Sequence, residues 1–317
     1  MNAAGRLSAY GAGLVLAFGG AFAIATAVAP DDAAADWQAS TAQEHGEAPA
    51  REHGEVSTSA EGLRGLGLAQ DGFMLSPVEV PASVEEQGEL SFRVLDDDGD
   101  PVSTFTTSHD KELHLIVVRS DGTRYKHVHP ELDRSSGTWS LPWSWDAAGA
   151  YRVFADFVPA DEEDTNVTLT RTVEVSGPFT AATSHEVMTT HSVDGFDATI
   201  TGDLVAGSTT ELTVSLARDG KPVTTLQPYL GAFGHLVALR EGDLGYLHVH
   251  AEGDEPQPGE TAGPSITFAT QAPTPGRYLL YLDFQVDGQV HTARFVLDAA
   301  VGDGTSGQMT DMDSSGH

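Results

Sequence analysis

The sequence has no cysteine among its 317 residues. That excludes a disulfide framework, a thiol nucleophile and a thiolate metal site, so any metal must be held by nitrogen and oxygen ligands. Basic residues are scarce: 16 Lys and Arg stand against 47 Asp and Glu, for a formal net charge of -31. Such a field repels phosphate backbones and anionic headgroups, so nucleic acid is not expected as a partner. The same acidity keeps an exported protein soluble and concentrates cations near its surface. Missing too are a Gly-rich phosphate loop, a GxSxG elbow and an HExxH helix, and the chain is therefore not read as an enzyme.

Charge is absent from residues 10–29, a run of twenty that follows Arg6 and precedes Asp31, Asp32 and Asp36. A run of that length predicts a membrane-anchoring segment over 1–29, with the bulk of the chain outside the cytoplasm. Cleavage after Ala35 is the alternative and gives a secreted protein. Residues 30–64, rich in Ala, Ser, Thr, Glu and Gly, read as a disordered linker, and 299–317 as a disordered tail.

Between these ends the chain repeats itself. HLIVVRSDGTRYKHVHPE, from His114, aligns with HLVALREGDLGYLHVHAE, from His235, at an offset of 121 residues. GAYRVFADF from Gly149 matches GRYLLYLDF from Gly276, pairing Asp156 with Asp283. Two domains follow, over 65–176 and 185–298. Each is a series of short Val-, Leu-, Thr- and aromatic-rich runs parted by DG, PG and AG turns, with no helical periodicity. In the first unit, strands are expected at 73–78, 88–95, 112–119, 125–129, 137–143, 149–158 and 166–175. Seven strands in about 100 residues is the pattern of an immunoglobulin-like β-sandwich. The fold class is thus all-β, with two tandem sandwiches.

Side chains alternate along a strand, so His127 and His129 share a face, and antiparallel pairing of the preceding strand can bring His114 to them. Three imidazoles suit copper or zinc. The second repeat carries the same set as His235, His248 and His250, which predicts one site per repeat. Survival of all three histidines in both copies favours ligation over a bracing role, which stays the alternative. Asp156 and Asp283 are expected either to orient a ligand histidine or to pair with Arg119 or Arg240. His109 and His291, aligned with Leu230 and Thr168, are weaker candidates, and His185 and His191 are expected at the surface.

The two histidine-bearing stretches resemble the HLxVV…D…xHxHP segment of exported bacterial β-sandwich proteins, the YtkA-like and FixH-like group, which are associated with heavy-metal, chiefly copper, handling. The resemblance covers about 80 residues of each repeat. It implies an anchored extracytoplasmic location and a copper ion, although Ala251 replaces the proline of the second motif. The leading expectation is an extracytoplasmic, membrane-anchored metal-binding protein. Its rival is a structural protein that displays two domains to an envelope partner, and a copper-dependent redox enzyme is a third class.

Overall fold

The computed structural model describes residues 64–160, 165–182, 184–247, 249–257 and 259–302. The expected anchor, most of the linker and of the tail, and His248 lie outside the described residues, as does the side chain of His250; Ala299 and Ala300, expected in the disordered tail, instead end the strand Gln289–Ala300. No helix among the described residues is long and apolar enough to cross a membrane.

The described chain is all-β, and each repeat is a pair of sheets. In the first, one sheet runs in the order Ala69–Gln70, Phe73–Leu75, Gly88–Leu95, Thr138–Trp143, Glu131–Asp133. The other runs Val167–Val175, Gly149–Pro159, His114–Arg119, Lys126–Val128, with Phe105–Thr106 also on Gly149–Pro159. The sequence reading missed three short strands here, Ala69–Gln70, Phe105–Thr106 and Glu131–Asp133, because two or three residues are too few to show an alternation. The second repeat has the matching sheet Leu204–Val205, Gln289–Ala300, Gly276–Val286, His235–Arg240, Tyr246–Leu247. All its pairs are antiparallel except the first.

Alternation decides what each face covers. In His114–Arg119, Leu115 and Val117 enter the first repeat's own core, with Phe92, Trp139 and Val153. Ile116 and Val118 point the other way and pack with Phe154 against Val237, Leu239, Leu279 and Tyr281 of the second repeat. There Leu236 and Ala238 fill the second repeat's own core. Both faces of these strands are therefore buried, as in sheets covered on two sides. The repeats meet through homologous strands, and their contacts come in matched pairs. Tyr125 stacks on Tyr281, with ring centroids 4.1 Å apart and planes 3° apart, while Tyr246, the counterpart of Tyr125, lies 5.8 Å from Phe154, the counterpart of Tyr281. Two cores and a shared third layer hold one compact unit.

Candidate metal centre between the repeats

The alternation that sends Ile116 and Val118 toward the second repeat sends His114 there too. His114 opens its strand opposite Asp156, and His235 opens its own opposite Asp283. Lys126–Val128 pairs with His114–Arg119, which sets Ile116 across from His127. His127 and, two residues on, His129 thus converge on His114. Their ligating atoms all lie within 4.8 Å of one another. His114 Nδ1 is 3.1 Å from His127 Nε2 and 3.3 Å from His129 Nε2.

The outer hydrogen bonds fix which nitrogens carry protons. His114 Nε2–H donates to the Ser108 carbonyl at 3.0 Å. His127 Nδ1–H donates to Asp283 Oδ2 at 2.9 Å, with both side chains nearly sealed from solvent, 2% and 3% exposed. Both partners can only accept, so in the neutral rings Nδ1 of His114 and Nε2 of His127 present lone pairs toward each other. Lone pairs at that distance repel unless a proton or a cation lies between them. On His114 a proton is disfavoured: burial first, then the neighbouring His127, hold its imidazole down, to about 4. Burial and the charges of His127 and His114 press His129 to about 2.

A cation fits. Nitrogens bound tetrahedrally at the usual 2.0–2.1 Å from zinc stand about 3.3 Å from one another, against 3.1 and 3.3 Å for the two pairs that include His114; the whole set lies within 4.8 Å, so His127 and His129 draw together where they share one ion. Asp283 and Ser108 supply the outer hydrogen bonds that metal-ligating imidazoles ordinarily make. The Tyr125 hydroxyl, buried in the adjoining layer, makes no hydrogen bond, and burial followed by the charge of Asp283 pushes its ionisation well above the ordinary range.

His235 does not stand apart in the second repeat. Its ring lies 5.8 Å from that of His114, nearly parallel at 21°, and 6.0 Å from that of His127. Its Nε2–H donates to the Leu230 carbonyl at 2.9 Å, which leaves Nδ1 as the basic nitrogen, and burial holds its pKa down to about 3. His109, a weaker candidate in the sequence for want of a counterpart, joins the group: its ring is 4.9 Å from His235 and 6.2 Å from His114.

The carboxylates are placed by the same faces. Asp283 reaches the opposite repeat to hold His127 and also accepts from Thr292. Asp156 accepts from Asn166 and Thr168, at 2.8 and 2.7 Å. Neither alternative with arginine holds: Arg119 forks onto Asp121 and Arg240 onto Asp243, each a neighbour in the following turn. His291 belongs elsewhere, against Phe196 and Phe284, with Nδ1–H donating to Asp194 at 2.8 Å. It pairs across from Phe284, and Thr292 is what stands where Thr168 stands in the first repeat, one residue from the sequence alignment. His185 is bonded to Glu241 at 2.9 Å.

The family profile described as Domain of unknown function (DUF8832) matches residues 70–177 and again 191–301. No curated protein is matched by the chain. Among solved structures, a DUF4426 family protein from Pseudomonas aeruginosa is similar over 35% of this chain and 96% of its own, at 9% identity and a TM-score of 0.26. Salmonella alpha-2-macroglobulin reacted with methylamine is similar over 75% of this chain but only 15% of its own, at 14% identity and a TM-score of 0.24. Domains 4 and 5 of the S-layer protein SbsC align over 70% of this chain and all of theirs, 100%, at 12% identity and a TM-score of 0.21.

Proposed function

The chain belongs to the DUF8832 family twice over, and from that premise we propose that it is a metal-binding protein whose ion, Cu(II) or Zn(II), is held by His114, His127 and His129. The observation that carries this reading is the pair of imidazole nitrogens facing each other at 3.1 Å, with the outer nitrogen of each ring bonded to an acceptor, Ser108 and Asp283. Copper is favoured over zinc only by the resemblance of the two histidine stretches to exported copper-handling sandwiches. The uncharged run 10–29 supports a membrane-attached, extracytoplasmic protein. The described site draws on both repeats, because Asp283 orients His127 and His235 lies against His114.

The test is metal analysis of the untagged full chain, followed by titration with Cu(II) and Zn(II). His127→Ala together with His129→Ala is expected to remove the equivalent held by the triad. The near-complete burial of the His127 and Asp283 side chains favours a second reading, in which the histidines brace the repeats for display to an envelope partner. That reading requires unchanged metal content and a clear loss of thermal stability in the same variant.

A further inference from the structure

A cavity of about 420 Å³ opens where the two repeats meet, and His109 stands in its wall. The carboxylate-bearing residues around it are Asp110, Glu252, Asp254 and Glu255, all exposed, and among the described residues no Lys or Arg lines it. Glu255 Oε1 and the His109 Cα bracket Gly231, lying 3.9 and 3.7 Å from where a Cβ would sit on that glycine. One acid of the wall is thereby placed beside the histidine.

From His109 the imidazoles continue inward. The ring-to-ring steps are 4.9 Å to His235, then 5.8 Å to His114 and 6.0 Å to His127. Two imidazoles that share one ion at metal–nitrogen distances near 2.0–2.1 Å have centres about 5–6 Å apart, so each step can be spanned by a single shared ion. His109 also sits in a backbone conformation that non-glycine residues seldom adopt. It and Asp110 sit at φ 52° and 62° in a two-residue turn closed by Ser108 and Lys111. Asn, Asp and Gly are the residues that favour such a turn, and the counterpart turn uses Leu230 and Gly231.

Resting on the metal reading above, we infer that this cavity is the route by which a hydrated divalent cation reaches and leaves the triad, with His109 and His235 as successive transient ligands. Two imidazoles without a third hold an ion weakly enough to pass it on, and the acidic wall draws cations in while repelling anionic chelates.

A route residue and a ligand differ in what they change. Loss of a route residue slows association and dissociation equally and leaves the equilibrium untouched. The experiment is stopped-flow fluorescence of the full chain with Cu(II), using its tyrosine and tryptophan emission, and with release measured by transfer of the ion to excess EDTA. His109→Ala is expected to slow both rates equally at unchanged Kd and stoichiometry, and the double variant Asp110→Asn, Glu255→Gln to slow association by about tenfold, within the range of electrostatic steering, with a salt dependence weaker than the parent's. His127→Ala is expected to raise Kd. Unaltered rates in the cavity variants, beside normal binding by the parent chain, overturn the route and leave the triad standing. A raised Kd in His109→Ala overturns it as well, by making His109 a ligand. A parent chain that binds no Cu(II) overturns both.

Discussion

The Nδ1 of His127 in the first repeat is 2.9 Å from the Asp283 carboxylate in the second, so the orientation of one repeat's imidazole is set by the other repeat's acid. Removing that acid while keeping its shape tests how far the site depends on it. Asp283→Asn is expected to weaken Zn(II) binding about 10–100-fold, the usual effect of losing an outer hydrogen-bond partner. Isothermal titration of the variant beside the parent chain measures it. Equal affinities would make Asp283 a spectator.

The buried imidazoles also fix how the metal-free protein responds to acid. An unfolded histidine takes up a proton near pH 6.5, whereas folded His114 and His235 do so only at about 4 and about 3, chiefly because they are buried. Between those values the unfolded chain binds more protons, so stability is full above about pH 6.5 and is lost as pH falls toward 4. Thermal melts of the chelated protein across pH 8 to 4 should show that slope. Replacing both residues by Gln should reduce it to the part that His129, held down to about 2 by burial, still contributes.

Gly122 belongs to the turn after Arg119, at φ 73°, and a Cβ there would stand 2.2 Å from Leu279 Cδ1 of the second repeat. Its carbonyl accepts from the Tyr281 hydroxyl. Gly122→Ala therefore combines left-handed strain of about 1–2 kcal/mol with overpacking of about 1–3 kcal/mol. A marked fall in Tm is expected, and a variant melting with the parent would mean that the interface gives way easily at this point.

Separated repeats offer a fourth test. Residues 65–176 and 185–298 each keep a core of their own, but each fragment would expose its half of the shared layer, Ile116, Val118 and Phe154 on one side, and Val237, Leu239 and Tyr281 on the other. Sedimentation velocity is expected to find the two fragments cooperatively folded yet associating when mixed. Fragments that remain monomeric together would show the shared layer to be weak.

The repeat, the all-β class and the convergence of His114, His127 and His129 were legible because each follows from a period of two and a fixed offset. Which faces of the repeats meet was not, since an alignment pairs equivalent residues and is silent on what packs against what. One sign was present. His114–Arg119 is apolar at Leu115 and Val117 and equally at Ile116 and Val118, and a strand apolar on both faces has no side left for water. His114 shares the face of Ile116, so that strand already pointed the histidine at a partner surface. His109 ranked only as a weaker candidate because it has no counterpart, although lack of symmetry is what a single shared route across two repeats produces. His248 and the side chain of His250 lie outside the described residues, so the expected second set is untested beyond His235.

The matched contacts of Tyr125 with Tyr281 and of Tyr246 with Phe154 make this chain the covalent equivalent of an isologous homodimer. Residues 177–184, which join the halves, hold each at an effective concentration on the order of millimolar for the other, as short tethers do. The interface then needs no affinity sufficient to assemble free subunits. Freed from that demand, the two copies can differ across the shared surface, one keeping histidine and aspartate where the other has Leu230 and Gly231. A true dimer, bound to repeat every substitution twice, could not build such a one-sided opening.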